Sequence, residues 1–180
     1  MDKFQKTDLT DVLSRRRNVF RDNRGNFQEI IRTEELPSEI PPFVQDSASV
    51  SSSMVLRGFH IQELQWQLVT LITGEVDDIL IDLRSDSPTF LSVISINLHP
   101  ERENQILIPP GVAHGYCAKG RQNVINYKSS RYYGETREFG VSWKSIELSR
   151  HIPDKNWTVS ERDNSFPLVQ EFLIKDKNKP

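Results

Sequence analysis

The sequence predicts an all-β fold, a sandwich or a barrel of short strands with only short helices at its edge. Two observations carry that expectation. From Trp66 onward, apolar runs of strand length follow one another between turn signals, and almost nowhere does a 3.6-residue apolar period persist. Length supplies a third: 180 residues can bury one sizeable core but are few for two, since domains cluster near roughly 100 to 150 residues. Residues 1–180 are therefore expected to form one domain, with the first fifteen or so and the C-terminal tail peripheral.

Met1 to Phe20 is mixed and weakly patterned, and its run Arg15-Arg16-Arg17 reads as a solvated basic cluster, with a phosphate site as the alternative. Asp22-Asn23-Arg24-Gly25 is a turn signal; beyond it Phe27, Glu29 and Ile31 alternate with Gln28 and Ile30, which puts Arg24 at a strand's entry. Arg32 to Ser38 reads as a turn of helix. Pro37, Pro41 and Pro42 then forbid regular structure and lead into Phe43 to Val50 as an edge strand. A flexible Ser-rich loop, Ser47 to Ser53, is expected before the next apolar run.

The segments WQLVTLIT and VDDILIDL, separated by Gly74-Glu75, read as a hairpin. On the second, Asp78, Leu80 and Asp82 share one face and Ile79, Ile81 and Leu83 the other. SDSPTF is a turn, FLSVISINL a strand, HPEREN a polar loop and QILIPPG a strand ended by its prolines; NVINYKSS and REFGVSW complete the set. In the tail from Asp154, WTVSERDNSFPLV is the one piece expected to pack.

Twenty-three basic and 25 acidic residues leave a net charge of -2, which offers no footprint for nucleic acid or an anionic membrane. Any anion site has to be local. A lone cysteine, Cys117, excludes an internal disulfide framework. With no charged-then-apolar leader and no long apolar span, the cytoplasm is the expected compartment.

Chemistry concentrates around Met54 to Gln62, MVLRGFHIQ. Arg57 offers a planar fork for an anionic or carbonyl oxygen, Gly58 permits close backbone approach, and His60 titrates nearest physiological pH. Arg-Gly-x-His is also ordinary strand-edge sequence, so partners are needed. Ile108 to Tyr116, IPPGVAHGY, supplies one, since its turn presents His114 at the start of a strand, and it looks like the second motif of a cupin barrel. A metal-binding cupin would carry H-x-H in its first motif, where this chain has His60-Ile61-Gln62. Two histidines without a clustered third ligand argue for acid-base or hydrogen-bonding work and against a metal. Tyr127, Tyr132 and Tyr133 follow within one strand and turn, placed either as half-buried surface residues or in a barrel mouth.

Taken together, FRDNRGNFQE, FVQDSAS, VLRGFHIQ, GEVDDILIDLRSDSPTF, IPPGVAHGY, NYKSSRYYGETREFGVSW and LSRHI with VSERD resemble, in order and spacing, the dTDP-4-dehydrorhamnose 3,5-epimerases. The resemblance spans about Phe20 to Leu168. It implies a cupin-type jelly roll, commonly a homodimer, acting on a dTDP-linked 4-keto-6-deoxyhexose without metal or organic cofactor. By position, His60 resembles the general base, Asp163 the carboxylate that orients it, and Tyr127 the proton donor. Tyr133 resembles the aromatic that stacks on thymine; Arg57, His114, Gln45, Glu138 and Arg162 match substrate-binding positions. Arg24 and Glu29 match residues that reach the nucleotide from the neighbouring chain.

These residue types also suit the chemistry on physical grounds. Inverting a carbon next to a ketone requires a base on one face, an acid on the other, and donors for the enolate between them. At one position the chain departs from the resemblance: Gln67 stands where a lysine is usual, so a donor is kept and a charge lost. That leaves three readings: epimerisation at carbons 3 and 5; action at one carbon or as a ketosugar isomerase of a specialised deoxysugar pathway; or a non-catalytic sugar-nucleotide-binding cupin.

Overall fold

The computed structural model describes residues 3–135 and 138–177. In chain order its strands are β1 (Gln5–Lys6), β2 (Leu13–Arg15), β3 (Phe20–Asp22), β4 (Gly25–Phe27), β5 (Gln45–Ser52), β6 (Leu56–Gln62) and β7 (Gln67–Thr73). There follow β8 (Val76–Asp82), β9 (Val93–Leu98), β10 (Gln105–Ile108), β11 (Val112–Ala118), β12 (Gln122–Ser129) and β13 (Glu138–Gly140). Three short helices close the chain: α1 (Ile146–Ser149), α2 (Glu161–Asn164) and α3 (Val169–Lys177). No helix among the described residues is long and apolar enough to cross a membrane.

Two antiparallel sheets make the body, one ordered β1-β2-β10-β7-β12-β5 and the other β13-β6-β11-β8-β9. From β5 to β13 the chain changes sheet at every step except β8 to β9. This is the crossing pattern of a cupin-like jelly roll, and it corrects one expectation. Gly74-Glu75 does not close a hairpin; it carries the chain from one sheet to the other. The corner is tight, because a Cβ on Gly74 would lie 2.5 Å from the Gln122 carbonyl, and the backbone is at φ +99°. Asn123 Oδ1 accepts the Glu75 N–H there.

Between the sheets, Val69, Leu71 and Ile125 are buried with Leu80, Val112 and Tyr116. The opposite face of the five-stranded sheet is not left to solvent. Phe59, Ile61, Ile79, Ile81 and Cys117 are buried under Val141, Leu148, Ile152 and Val169. β8 is thus covered on both faces, which is why it reads as a nearly unbroken apolar run. Each such buried aliphatic or aromatic side chain contributes on the order of 1.5–3 kcal/mol.

Three further expectations change. Ser47 to Ser52 is not a loop but the body of edge strand β5, paired along its length with β12. The first fifteen residues are not merely peripheral, since Leu9 and Val12 belong to the inter-sheet core, whereas Val169, in the piece of the tail expected to pack, does so in the outer one. Nor is the basic run solvated as a whole: Arg16 is exposed, but Arg15 and Arg17 are buried and both pair with Glu35 Oε2 at 2.9 Å. Arg15 Nε also donates to Gln105, and Arg17 donates to the Glu29 carbonyl. Glu35 sits in a 3₁₀ turn, Thr33–Glu35, where a turn of helix was expected.

Removing one partner of a buried ion pair strands the other charge at a cost of about 3–5 kcal/mol. Glu35→Ala is therefore expected to lower the unfolding free energy by about 3 kcal/mol, read as a shift of the urea midpoint at unchanged slope.

Candidate active site

Two adjoining cavities, of about 390 and about 210 Å³, are lined from both sheets and share Gln62, Gln67, Tyr127 and Glu138. The smaller lobe adds Ser49, Arg57, His60, His114 and Tyr116; the larger adds Gln45, Gln65, Tyr133 and Arg162.

Register brings the histidines together. β11 runs antiparallel to β6 with His114 opposite His60, so both side chains stand on the cavity face. Arg57, an odd number of residues before His60, would point away in a regular strand. The ladder is irregular between His114 and Tyr116, and Gly58 lies at φ +117°. That left-handed residue re-aims the chain, and Arg57 lines the same lobe as His60. Space also demands glycine, for a Cβ on Gly58 would come within 2.6 Å of Gly115 Cα.

His60 is held on both ring nitrogens, with Asp163 Oδ1 2.9 Å from Nε2 and Glu138 Oε1 3.2 Å from Nδ1. Burial disfavours the charged ring, but the hydrogen bonds to Asp163 and then Glu138 outweigh it and raise the pKa to about 9. Glu138 is held down to about 2, chiefly by His60 and further by Arg162. Asp163 is itself fixed. Its Oδ2 accepts the Gly58 N–H at 3.0 Å, and its own N–H donates to the Ser160 hydroxyl that caps α2.

A second dyad lies deeper. His114 Nε2 is 2.8 Å from Asp78 Oδ2, and Asp78 is buried, which raises its carboxyl against the opposing pull of His114. The His114 and Tyr127 rings meet edge-on at 6.4 Å. Burial pushes the Tyr127 phenol well above its usual range, so the group stays protonated. At the other lobe Tyr133 is exposed, and its backbone N–H is anchored by Gln45 Oε1 at 2.7 Å.

The family model described as dTDP-4-dehydrorhamnose 3,5-epimerase matches residues 6–171. The chain is 37% identical to the enzyme of that name from Shigella flexneri over 164 residues, covering 88% of this chain and 91% of that protein. It is 35% identical to the Salmonella typhimurium enzyme over 176 residues, covering 94% and 96%. A Legionella pneumophila structure described as dTDP-6-deoxy-D-glucose-3,5-epimerase, in complex with dTDP-4-keto-L-rhamnose, superposes with TM-score 0.83 at 31% identity, covering 93% of each chain. The chain belongs to the dTDP-4-dehydrorhamnose 3,5-epimerase family. It is an isomerase of the epimerase type.

Of the residues singled out in this epimerase, His60, Arg57, His114, Tyr127, Gln67, Glu138, Gln45, Tyr133 and Arg162 line one or both lobes, and Asp163 stands behind His60. Arg24 and Glu29 do not join them. Arg24 pairs with Asp22 at the exposed tip of the β3–β4 hairpin, and Glu29 pairs with Arg32. Sequence reasoning missed the polar groups around the site: Gln62, Gln65, Ser49, Ser51 and Tyr116. The alternation of serines in β5 was the available signal, since Ser47, Ser49 and Ser51 share one face of a strand. Of the two carboxylates that share one face of β8, Asp78 reaches the site through His114, while Asp82 holds Arg84.

The His60 clamp links to stability with a definite sign. Its folded pKa of about 9 lies above the unfolded value of about 6.5, so the contribution is complete below pH 6.5 and lost as the pH rises through about 9. The stability advantage of wild type over His60→Asn should shrink across that window, as measured by denaturant titration at several pH values.

Proposed function

We propose that the chain inverts carbon 3, carbon 5 or both of a dTDP-linked 4-keto-6-deoxyhexose, by removing the proton next to the ketone and returning one through an enolate. The observation that supports this best is that the His60–Asp163 pair and the protonated Tyr127 phenol bound the same cavity. His60 is the base. Asp163 occupies Nε2, so Nδ1 takes the substrate proton, and Glu138 has to leave that nitrogen, with the ring's own proton gone, before it can do so. Tyr127 delivers the proton on the other face.

Arg57 and His114 donate to the developing enolate oxygen, a role in which one preorganised donor is typically worth about 10²- to 10³-fold in rate. Arg162 at the larger lobe suits the diphosphate, and Tyr133 offers its exposed ring to thymine. Glu138 and Gln45 shape this lobe through Arg162 and the Tyr133 backbone. Gln67 faces both lobes as a neutral donor, which favours a second reading in which only the easier of two deprotonations is efficient.

The homodimer is part of the proposal. Phe20 and Phe27 are paired on the β3–β4 hairpin and are 56% and 67% exposed, an apolar surface a second copy would cover. Arg24 at its tip and Glu29 beyond it would then reach the partner's cavity.

Solvent deuterium tests the reaction. Wild type incubated with dTDP-4-keto-6-deoxyglucose in deuterated water should wash deuterium into carbons 3 and 5, or into one of them on the second reading. Incorporation at neither carbon overturns both. His60→Asn should abolish wash-in, whereas Tyr127→Phe should keep wash-in and lose completed inversion by roughly 10²- to 10⁴-fold. For the dimer, Arg24→Ala mixed with His60→Asn should recover some activity through hybrid sites, and a monomer in sedimentation would remove the basis for that recovery.

A further inference from the structure

Beside Tyr127 runs a line of hydroxyls that no step above uses. Tyr127 Oη lies 3.3 Å from Ser49 Oγ, which lies 3.0 Å from Tyr116 Oη. Tyr116 Oη is 2.9 Å from Ser51 Oγ, and Arg57 Nε donates to Ser51 Oγ over 3.0 Å. Tyr116 and Ser51 are buried, at 1% and 3% exposure, so these hydroxyls depend on one another for partners.

The Arg57 end favours one direction. A guanidinium has only donors, so Ser51 accepts from it and its own proton is available to Tyr116. Each hydroxyl has one proton to give. With Ser51 donating to Tyr116, Tyr116 donates to Ser49 and Ser49 donates to Tyr127. The Tyr127 proton is then not consumed by the line and is left for the cavity.

We propose that Arg57, Ser51, Tyr116 and Ser49 form a polarised hydrogen-bond wire that aims the Tyr127 proton at the substrate and stabilises the phenolate left behind. Ser49 and Tyr116 are thus positioning residues for the protonation step. The inference rests on Tyr127 being the acid. In that step the Tyr127 O–H bond breaks and the electron pair of the enolate C=C forms the new C–H bond. The C=O re-forms, and the negative charge passes from the enolate to the Tyr127 oxygen. Ser49 donates to that oxygen, with the Arg57 cation at the far end of the line. Arg57 loses no proton; a solvent proton entering through the cavity restores the phenol. Burial makes this phenolate costly, and a hydrogen bond to a charged group is the kind that offsets such a cost.

Deuterium wash-in and completed inversion, measured separately on the full-length protein, test the wire. Tyr116→Phe keeps the shape of the buried ring, and Ser49→Ala interrupts the line at an independent point. Each should slow inversion by roughly 10- to 100-fold, the effect of one hydrogen bond to a charged group, with KM and wash-in within about threefold of wild type. The double variant should be no slower than the slower single one, because both break one line. Ser49→Thr, which keeps the hydroxyl, should restore most of the rate. Wash-in and inversion falling together, inversion unaffected in both variants, or Ser49→Thr no better than Ser49→Ala would each overturn the wire. Tyr127→Phe separates this failure from that of the function itself. If it loses wash-in and inversion equally, Tyr127 is not the acid; if it is selective while Tyr116→Phe is not, the wire alone fails.

Discussion

Asp163 joins two parts of the chain more than a hundred residues apart in sequence, and the site depends on that junction. One carboxylate oxygen takes the Gly58 N–H and the other takes His60 Nε2. The first bond pins α2 to β6; the second sets the tilt and protonation of the imidazole. Ser160 caps α2 on the Asp163 N–H and leaves the carboxylate little freedom. Nearby, Phe166 meets the His60 ring edge-on at 5.5 Å, and a Cβ at Gly140 would strike the Phe166 ring. The C-terminal segment therefore acts twice, as the cover of the outer apolar core and as the back wall of His60.

The electrostatics of the cavity divide along its length. Around His60 two carboxylates face one imidazole, and the ring keeps its proton to about pH 9. A ring that donates to acceptors through both nitrogens has no lone pair free. Asp163 is buried and capped, whereas Glu138 borders both lobes and is shared with Arg162. Of the two carboxylates Glu138 is the one open to the cavity. At the deeper end Asp78 and His114 are enclosed between the sheets; burial raises every one of these carboxyls, and only at Asp78 does it outweigh the partner and leave the group raised. One barrel so holds two His–carboxylate pairs in different surroundings, with solvent access and partner number differing between them.

Much of the fold was legible in the residues. Short apolar runs between turns, the near absence of helical period and the prolines after Ile108 place most strands within a few residues of where they lie. The alternation in β8 placed Asp78, Leu80 and Asp82 together on one face and Ile79 and Ile81 on the other. What alternation cannot say is which sheet a strand joins. Gly74-Glu75 has the composition of a hairpin turn and makes a sheet-to-sheet corner, because pairing is decided by partners 30 or more residues away, such as β12 for β7 and β11 for β8. The serines of β5 look like loop residues for a similar reason. Their strand character comes from the ladder with β12, and their polarity is used on the Tyr116 hydroxyl.

The sequence by itself determined the family, the all-β class and the identity of the chemical groups, since motifs such as RGFH, PPGVAHG and NYK carry residue types that few other arrangements need. Only the tertiary structure decided how those groups meet. Arg57 and His60 lie three apart and should face opposite ways; the left-handed Gly58 and the irregular ladder with β11 turn both into one lobe. Of the basic triplet only Arg16 is exposed; Arg15 and Arg17 are held by Glu35, brought to them by a turn some twenty residues on. In each case the deciding contact is long-range, and no local propensity encodes a partner that only folding brings within 3 Å.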